Sequence, residues 1–112
     1  MPQQELDRIL ADAVKQAKAV FSEQLCSMIL FGSYARGDYD EESDIDIALL
    51  FSCSRENVNQ HIDSMAEIST ELGLTYGVVV SFIAIPKDEY EKWLPALPFY
   101  QNIEREGVRL IA

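Results

Sequence analysis

Residues 32–47 read Gly-Ser-Tyr-Ala-Arg-Gly-Asp-Tyr-Asp-Glu-Glu-Ser-Asp-Ile-Asp-Ile. The stretch opens with a Gly-Ser turn, Gly32 and Ser33, at the end of an apolar run from Met28 to Phe31. It closes on two carboxylates, Asp44 and Asp46, at the head of a second apolar run that continues to Phe51. Side chains alternate along a strand, so positions i and i+2 share a face, roughly 6.5–7 Å apart. Ile45 and Ile47 then point into the core. Two acids on one face of a buried strand repel each other and are costly to desolvate unless a cation lies between them. A divalent, oxygen-preferring metal fits that role, and Mg²⁺ best of all.

The Gly-Ser turn supplies the other half of a site. Glycine allows close approach of a ligand to the backbone, and the amides of a tight turn can form an anion-binding nest. Ser33 adds a hydroxyl, and Arg36 a forked cation suited to phosphate. Acids for a metal beside a turn for phosphate point to a nucleoside triphosphate bound with Mg²⁺. The competing reading is a surface β-hairpin with an acidic, Gly-rich loop, since either half of the pattern alone is a weak signal.

Gly-Ser, ten residues, then Asp-x-Asp, with both parts attached to apolar strands, resembles the signature of the DNA polymerase beta-like nucleotidyltransferase superfamily. The wording Gly-Ser-Tyr-Ala-Arg-Gly followed by Ser-Asp-Ile-Asp-Ile is most similar to the minimal nucleotidyltransferases, or MNT domains. The segment from Pro98 to Val108 also resembles the end of such domains. The resemblance implies that Gly32 and Ser33 bind the phosphates of ATP or another triphosphate, assisted by Arg36 through its own chemistry, and that Asp44 and Asp46 are the catalytic, metal-holding acids. It implies transfer of AMP from ATP onto a hydroxyl, and a HEPN-domain protein as partner in a toxin–antitoxin pair.

The family's full site has a third carboxylate on a later strand. The matching segment here, Tyr76 to Ile85, contains no acid, and Ser81 stands where one is expected. The alternative function is therefore a binding module that keeps the nucleotide or the partner but transfers poorly. Transfer to a small molecule such as an aminoglycoside normally requires an added substrate-binding domain.

At 112 residues the chain is expected to be a single domain over 1–112. Its formal charge of −10 argues against nucleic acid as a partner, because such binding needs Lys and Arg to neutralise phosphates. A small-molecule or protein acceptor fits better, and a basic partner would complement the charge. No stretch is long and apolar enough for a membrane span. Cys26 and Cys53 lack metal-ligand spacing and read as reduced thiols of a cytoplasmic protein. A homo-oligomer is left open.

Apolar residues at helical spacing predict a first helix over 3–22, followed by strands at 25–31 and 44–51. Ser54 reads as the cap of a second helix whose face carries Val58, Ile62, Met65, Ser69 and Leu72, ended by Gly73. Strand three is expected over 76–85. A short helix carrying Tyr90 and Trp93, a last helical turn over 99–106 and an edge strand over 108–111 complete the chain. The fold class is α/β (α+β), a small mixed sheet with helices packed on it. Asp38, Asp40, Glu41 and Glu42 read as a solvated loop. Lys87 and His61 read as surface residues. Trp93, Phe99 and Tyr100 are expected to complete the core, with a base-stacking wall or a partner contact as the alternative.

Overall fold

A computed structural model describes residues 1–111. Helix α1 (Gln3–Phe21) is followed, through a 3₁₀ turn, by strand β1 (Leu25–Phe31). The short helix α2 (Ser33–Arg36) and a loop lead to β2 (Ile45–Phe51). Helix α3 (Arg55–Val58), a 3₁₀ turn and α4 (Ile62–Tyr76) form the crossover to β3 (Val80–Pro86). Helices α5 (Lys87–Trp93) and α6 (Pro98–Glu106) precede β4 (Val108–Ile111). The sheet order is β3-β2-β1-β4. β1 is antiparallel to both β2 and β4, and β2 is parallel to β3, so the sheet is mixed. Among the described residues, no helix is long and apolar enough to cross a membrane.

Strand alternation gives the sheet two buried faces. On one face Met28, Leu30, Ile45, Ile47, Leu49, Phe51 and Val80 pack against Leu6, Ile9 and Ala13 of α1 and Ile68 and Leu72 of α4. Ile29, Ala48, Leu50 and Ile85 line the other face, under Tyr90 of α5 and Tyr100 and Ile103 of α6. Asp46 belongs to the second row, two residues before Ala48, so it lies where α6 stops covering the sheet. A sheet covered on both faces explains why β2 reads as a near-continuous apolar run.

The first strand and the edge strand fall where the spacing places them, the second begins at Ile45 and not at Asp44, and α1 ends one residue early. The second helix differs. The 3₁₀ turn Asn59–His61 rotates the helical phase, so Val58, Met65, Ile68 and Leu72 are buried while Ile62 is 51% exposed. Gly73 does not end that helix. It continues to Tyr76 and stops at Gly77, whose φ of +69° suits glycine. Strand three consequently begins at Val80, not Tyr76. His61 is no free surface residue: its ring stacks on Phe51 at 4.8 Å and meets Gln24 Oε1 through Nε2 at 2.6 Å. Of the three C-terminal aromatics only Tyr100 is buried; Trp93 is 45% and Phe99 50% exposed.

The outer edge of β3 is held by side chains. The Ile45 amide donates to Val79 O, so alternation turns the carbonyls of Val80 and Ala84 away from β2. Ser69 Oγ donates to Val80 O, and Arg55 Nη1 donates to Ala84 O at 3.1 Å.

Candidate active site

The β1–β2 hairpin builds the site. Register pairs Phe31 with Asp46, which brings the Gly-Ser turn at the end of β1 beside the carboxylate at the start of β2. Gly32 has φ +74°, and a β-carbon built on it would lie 2.6 Å from Asp46 Oδ2. A side chain at this position would push the carboxylate out of its place. Beyond it, the Gly32 carbonyl accepts from the Ala35 and Arg36 amides, and the Ser33 carbonyl from Gly37 and Asp38. The amides of Ser33 and Tyr34 lead this single turn and have no partner within it.

Asp46 is half-buried, and burial raises its pKa, with the Asp44 charge adding to the rise and Arg36 opposing it. Asp44 is exposed and sits one residue before β2, not inside a strand running from 44. The two carboxylates still feel each other's charge. This pair of hard oxygen donors, one held against a side-chain-free glycine, fits a divalent cation such as Mg²⁺. Among the described residues, no set of three His, Cys, Asp or Glu side chains gathers into a metal-binding cluster. Across the parallel pair, Ser81 is the register partner of Asp46 and shares its face.

Arg36 is exposed and bonded to two acids. Its Nε donates to Asp38 Oδ2 at 3.2 Å, and Nη1 reaches Glu106 Oε2 of α6 at 3.5 Å. These carboxylates raise its pKa. Asp38, Asp40, Glu41 and Glu42 lie exposed in the loop, with Asp40 Oδ1 accepting from the Glu42 amide at 2.9 Å. Tyr34 and Tyr39 stack at 4.3 Å along the loop's inner side. Lys87 is exposed and pairs with Glu91 at 3.8 Å, which places it in a surface contact. Cys26 and Cys53 are free thiols.

The structure thus brings Gly32, Asp44, Asp46 and Arg36 to one end of the hairpin, with Ser33 opening α2 beside them. Glu106 was not foreseen. It reaches Arg36 across 70 positions of sequence, and a separation that long leaves no local pattern to read.

The family model of the nucleotidyltransferase domain matches residues 8–110. A Methanocaldococcus jannaschii protein, MJ0604, provisionally named a protein adenylyltransferase, is 34% identical over 101 residues, covering 90% of this chain and 93% of its own. A second from the same organism, MJ0141, with the same provisional name, is 31% identical over 106 residues, covering 95% and 99%. Among solved structures, a provisionally named nucleotidyltransferase from Sulfolobus solfataricus superposes with a TM-score of 0.61 at 24% identity, covering 95% of this chain and 82% of that one. A toxin–antitoxin complex with AMP-PNP gives a TM-score of 0.61 at 22% identity, covering 90% and 71%. The two solved structures share the fold. With the motif geometry, the matched family and the relatives in agreement, the chain belongs to the nucleotidyltransferase domain family.

Proposed function

We propose that the chain transfers AMP from ATP, with Mg²⁺, onto a hydroxyl of a partner protein, a tyrosine of a HEPN-domain toxin being the expected acceptor. The observation that carries this reading is the contact between Gly32 and the Asp46 carboxylate, with Asp44 alongside. That arrangement sets a hard-oxygen cation site directly against a turn whose first two amides, of Ser33 and Tyr34, have no partner within it. The relatives' provisional name, protein adenylyltransferase, supports a protein acceptor. The formal charge of −10 supports a basic partner over nucleic acid.

In this reading Asp44 and Asp46 hold the metal. The bound ion supplies charge neutralisation of the triphosphate and of the oxygens exchanged at phosphorus. Ser33 and the leading amides of the turn orient the β- and γ-phosphates. Arg36 leaves Asp38 or Glu106 to meet them, since a guanidinium binds phosphate oxygens in pairs. The acceptor oxygen bonds to the α-phosphorus, pyrophosphate departs toward the turn, and the hydroxyl proton passes to solvent.

One observation favours a second reading. Ser81, the register partner of Asp46, offers a hydroxyl where a third carboxylate would complete the cation site. The chain would then bind nucleotide or partner with little transfer. Calorimetric titration of ATP with and without Mg²⁺, in wild type and in Asp44→Asn/Asp46→Asn, tests both. Mg²⁺-dependent binding lost in the variant is expected, and absence of any binding overturns the nucleotide reading. Transfer of labelled AMP by wild type separates enzyme from module, and a gain in Ser81→Asp identifies the missing acid as limiting.

A further inference from the structure

We propose that the cleft between Gly32 and α6 is the nucleobase subsite, with Phe99 as the stacking ring and Asn102 as the contact to the base edge. This rests on the nucleotidyltransferase reading and adds a base-recognition element to it.

The cleft has a volume of about 350 Å³ and is lined by Phe31, Gly32, Arg36, Phe99, Asn102 and Glu106, over a floor of Ile103. Two of these residues, Gly32 and Arg36, also belong to the phosphate end of the site. The cleft therefore runs without a break from the Gly32–Arg36 turn, where Arg36 is paired with Glu106, to an aromatic end at Phe31 and Phe99. A ligand that matches both ends carries an anionic group joined to a flat ring, which is the chemistry of a nucleotide.

Phe99 is the unusual residue here. It is the second residue of α6 and half exposed, although Tyr100 beside it is buried. Phe31 meets it edge-on at 5.7 Å, with the ring planes at 84°. The ring is thus positioned by packing while half its surface faces water. A base can stack on such a ring without first ordering it. Asn102 lies one helical turn on, on the same face. Arg105 Nη2 donates to Asn102 Oδ1 at 2.7 Å. That bond takes up the amide oxygen and leaves the amide N–H groups for an acceptor nitrogen on a base.

The alternatives fit a nucleotide poorly. The larger cleft, about 710 Å³, has Tyr34, Tyr39 and Tyr76 in its wall, but also Glu5, Asp40, Glu41, Glu42 and Asp44. Asp44 aside, four carboxylates with no cationic side chain among them repel a polyphosphate. The α6 cleft has one carboxylate, Glu106, and it is already paired with Arg36. Fused rings cover more of Phe99 than a single ring does, so purine nucleotides are expected to bind more tightly than pyrimidine nucleotides.

The test is calorimetry of the full chain with Mg²⁺ and ATP, CTP or inorganic tripolyphosphate, in wild type, Phe99→Ala, Phe99→Leu and Asn102→Ala. Phe99→Leu keeps an apolar contact to Phe31 and removes the π-face, so it decides the matter if Phe99→Ala fails to fold. The expected result is ATP weakened by about tenfold in the Phe99 variants, with a smaller loss in Asn102→Ala. Tripolyphosphate affinity stays unchanged, and the preference for ATP over CTP shrinks. Unchanged ATP affinity, as a protein-docking role for Phe99 would give, overturns the subsite. Equal weakening of ATP and tripolyphosphate overturns it too. If wild type binds neither ATP nor tripolyphosphate, the nucleotide reading itself fails and the subsite falls with it.

Discussion

Asp46 Oδ2 occupies the space that a β-carbon on Gly32 would need, 2.6 Å from its ideal position. The carboxylate end can rotate away, so the damage from a side chain there falls on function more than on packing. Gly32→Ala is expected to keep the fold. Its φ of +74° makes the substitution cost about 1–3 kcal/mol, read by urea denaturation. Mg²⁺-dependent ATP binding should be lost with it, because the displaced carboxylate no longer faces the turn.

Asp46→Asn separates the two properties in the opposite direction. Burial and the Asp44 charge disfavour the ionised form in the folded protein. Removing that charge is expected to leave the melting temperature unchanged or higher while abolishing metal-dependent nucleotide binding. A melting temperature that falls would show that Asp46 supports the fold through a contact unrelated to charge.

Ser81→Asp places another acid beside Asp46 on the same sheet face. Like charges at paired positions of a sheet destabilise. The variant is expected to melt below wild type in EDTA and to gain more than wild type on addition of Mg²⁺. Thermal melting with and without the cation reads the difference.

Acid sensitivity should arise away from the site. Tyr90 Oη donates to Glu104 Oε2 at 2.7 Å, and Arg109 Nη2 donates to both oxygens of that carboxylate. Arg55 pairs with Glu89, which also accepts from Tyr100 Oη at 3.0 Å. For Glu104 the Tyr90 bond, and for Glu89 the Arg55 bond, lead in lowering the pKa below its ordinary 4.5. A carboxylate with a depressed folded pKa stabilises the fold at pH values above its unfolded pKa. That contribution declines as pH falls through the ordinary value toward the lowered one. Glu104→Gln is expected to be less stable than wild type at pH 7, with the gap closing as pH drops below about 4.5.

Gly107 joins α6 to β4. A β-carbon there would lie 2.3 Å from Ile103 O and 2.5 Å from Ile29 Cγ2. The backbone carbonyl at the helix end cannot move aside cheaply. Gly107→Ala is expected to cost about 1–3 kcal/mol and to loosen α6, which circular dichroism during denaturant unfolding would detect.

The sequence made the hairpin legible because its information is local. Gly32, Ser33, Asp44 and Asp46 lie within one stretch, and strand alternation alone puts Asp46 on a face opposite Ile45 and Ile47. The parallel partner was legible as well, since Ser81 is the one polar residue in a β-branched run. Other features needed the third dimension. The 3₁₀ turn at Asn59–His61 carries no breaker residue, so a continuous helical phase put Ile62 on the wrong face. Gly73 and Gly77 are both plausible helix ends, and only packing of Leu72 and Tyr76 decides between them. The exposure of Phe99 contradicts its apolar character and follows from where α6 happens to lie over the sheet.

The cap on β3 has a consequence for the molecule in a crowded solution. A parallel-paired strand at the border of a sheet is an open template for another chain's backbone. Here the outward carbonyls of Val80 and Ala84 already accept from Ser69 and Arg55, so an incoming strand could not pair along the whole edge without displacing both donors. The border is thereby made poor at recruiting its own kind. A side-chain cap of two bonds thus guards the domain against growing into a ribbon of its own copies.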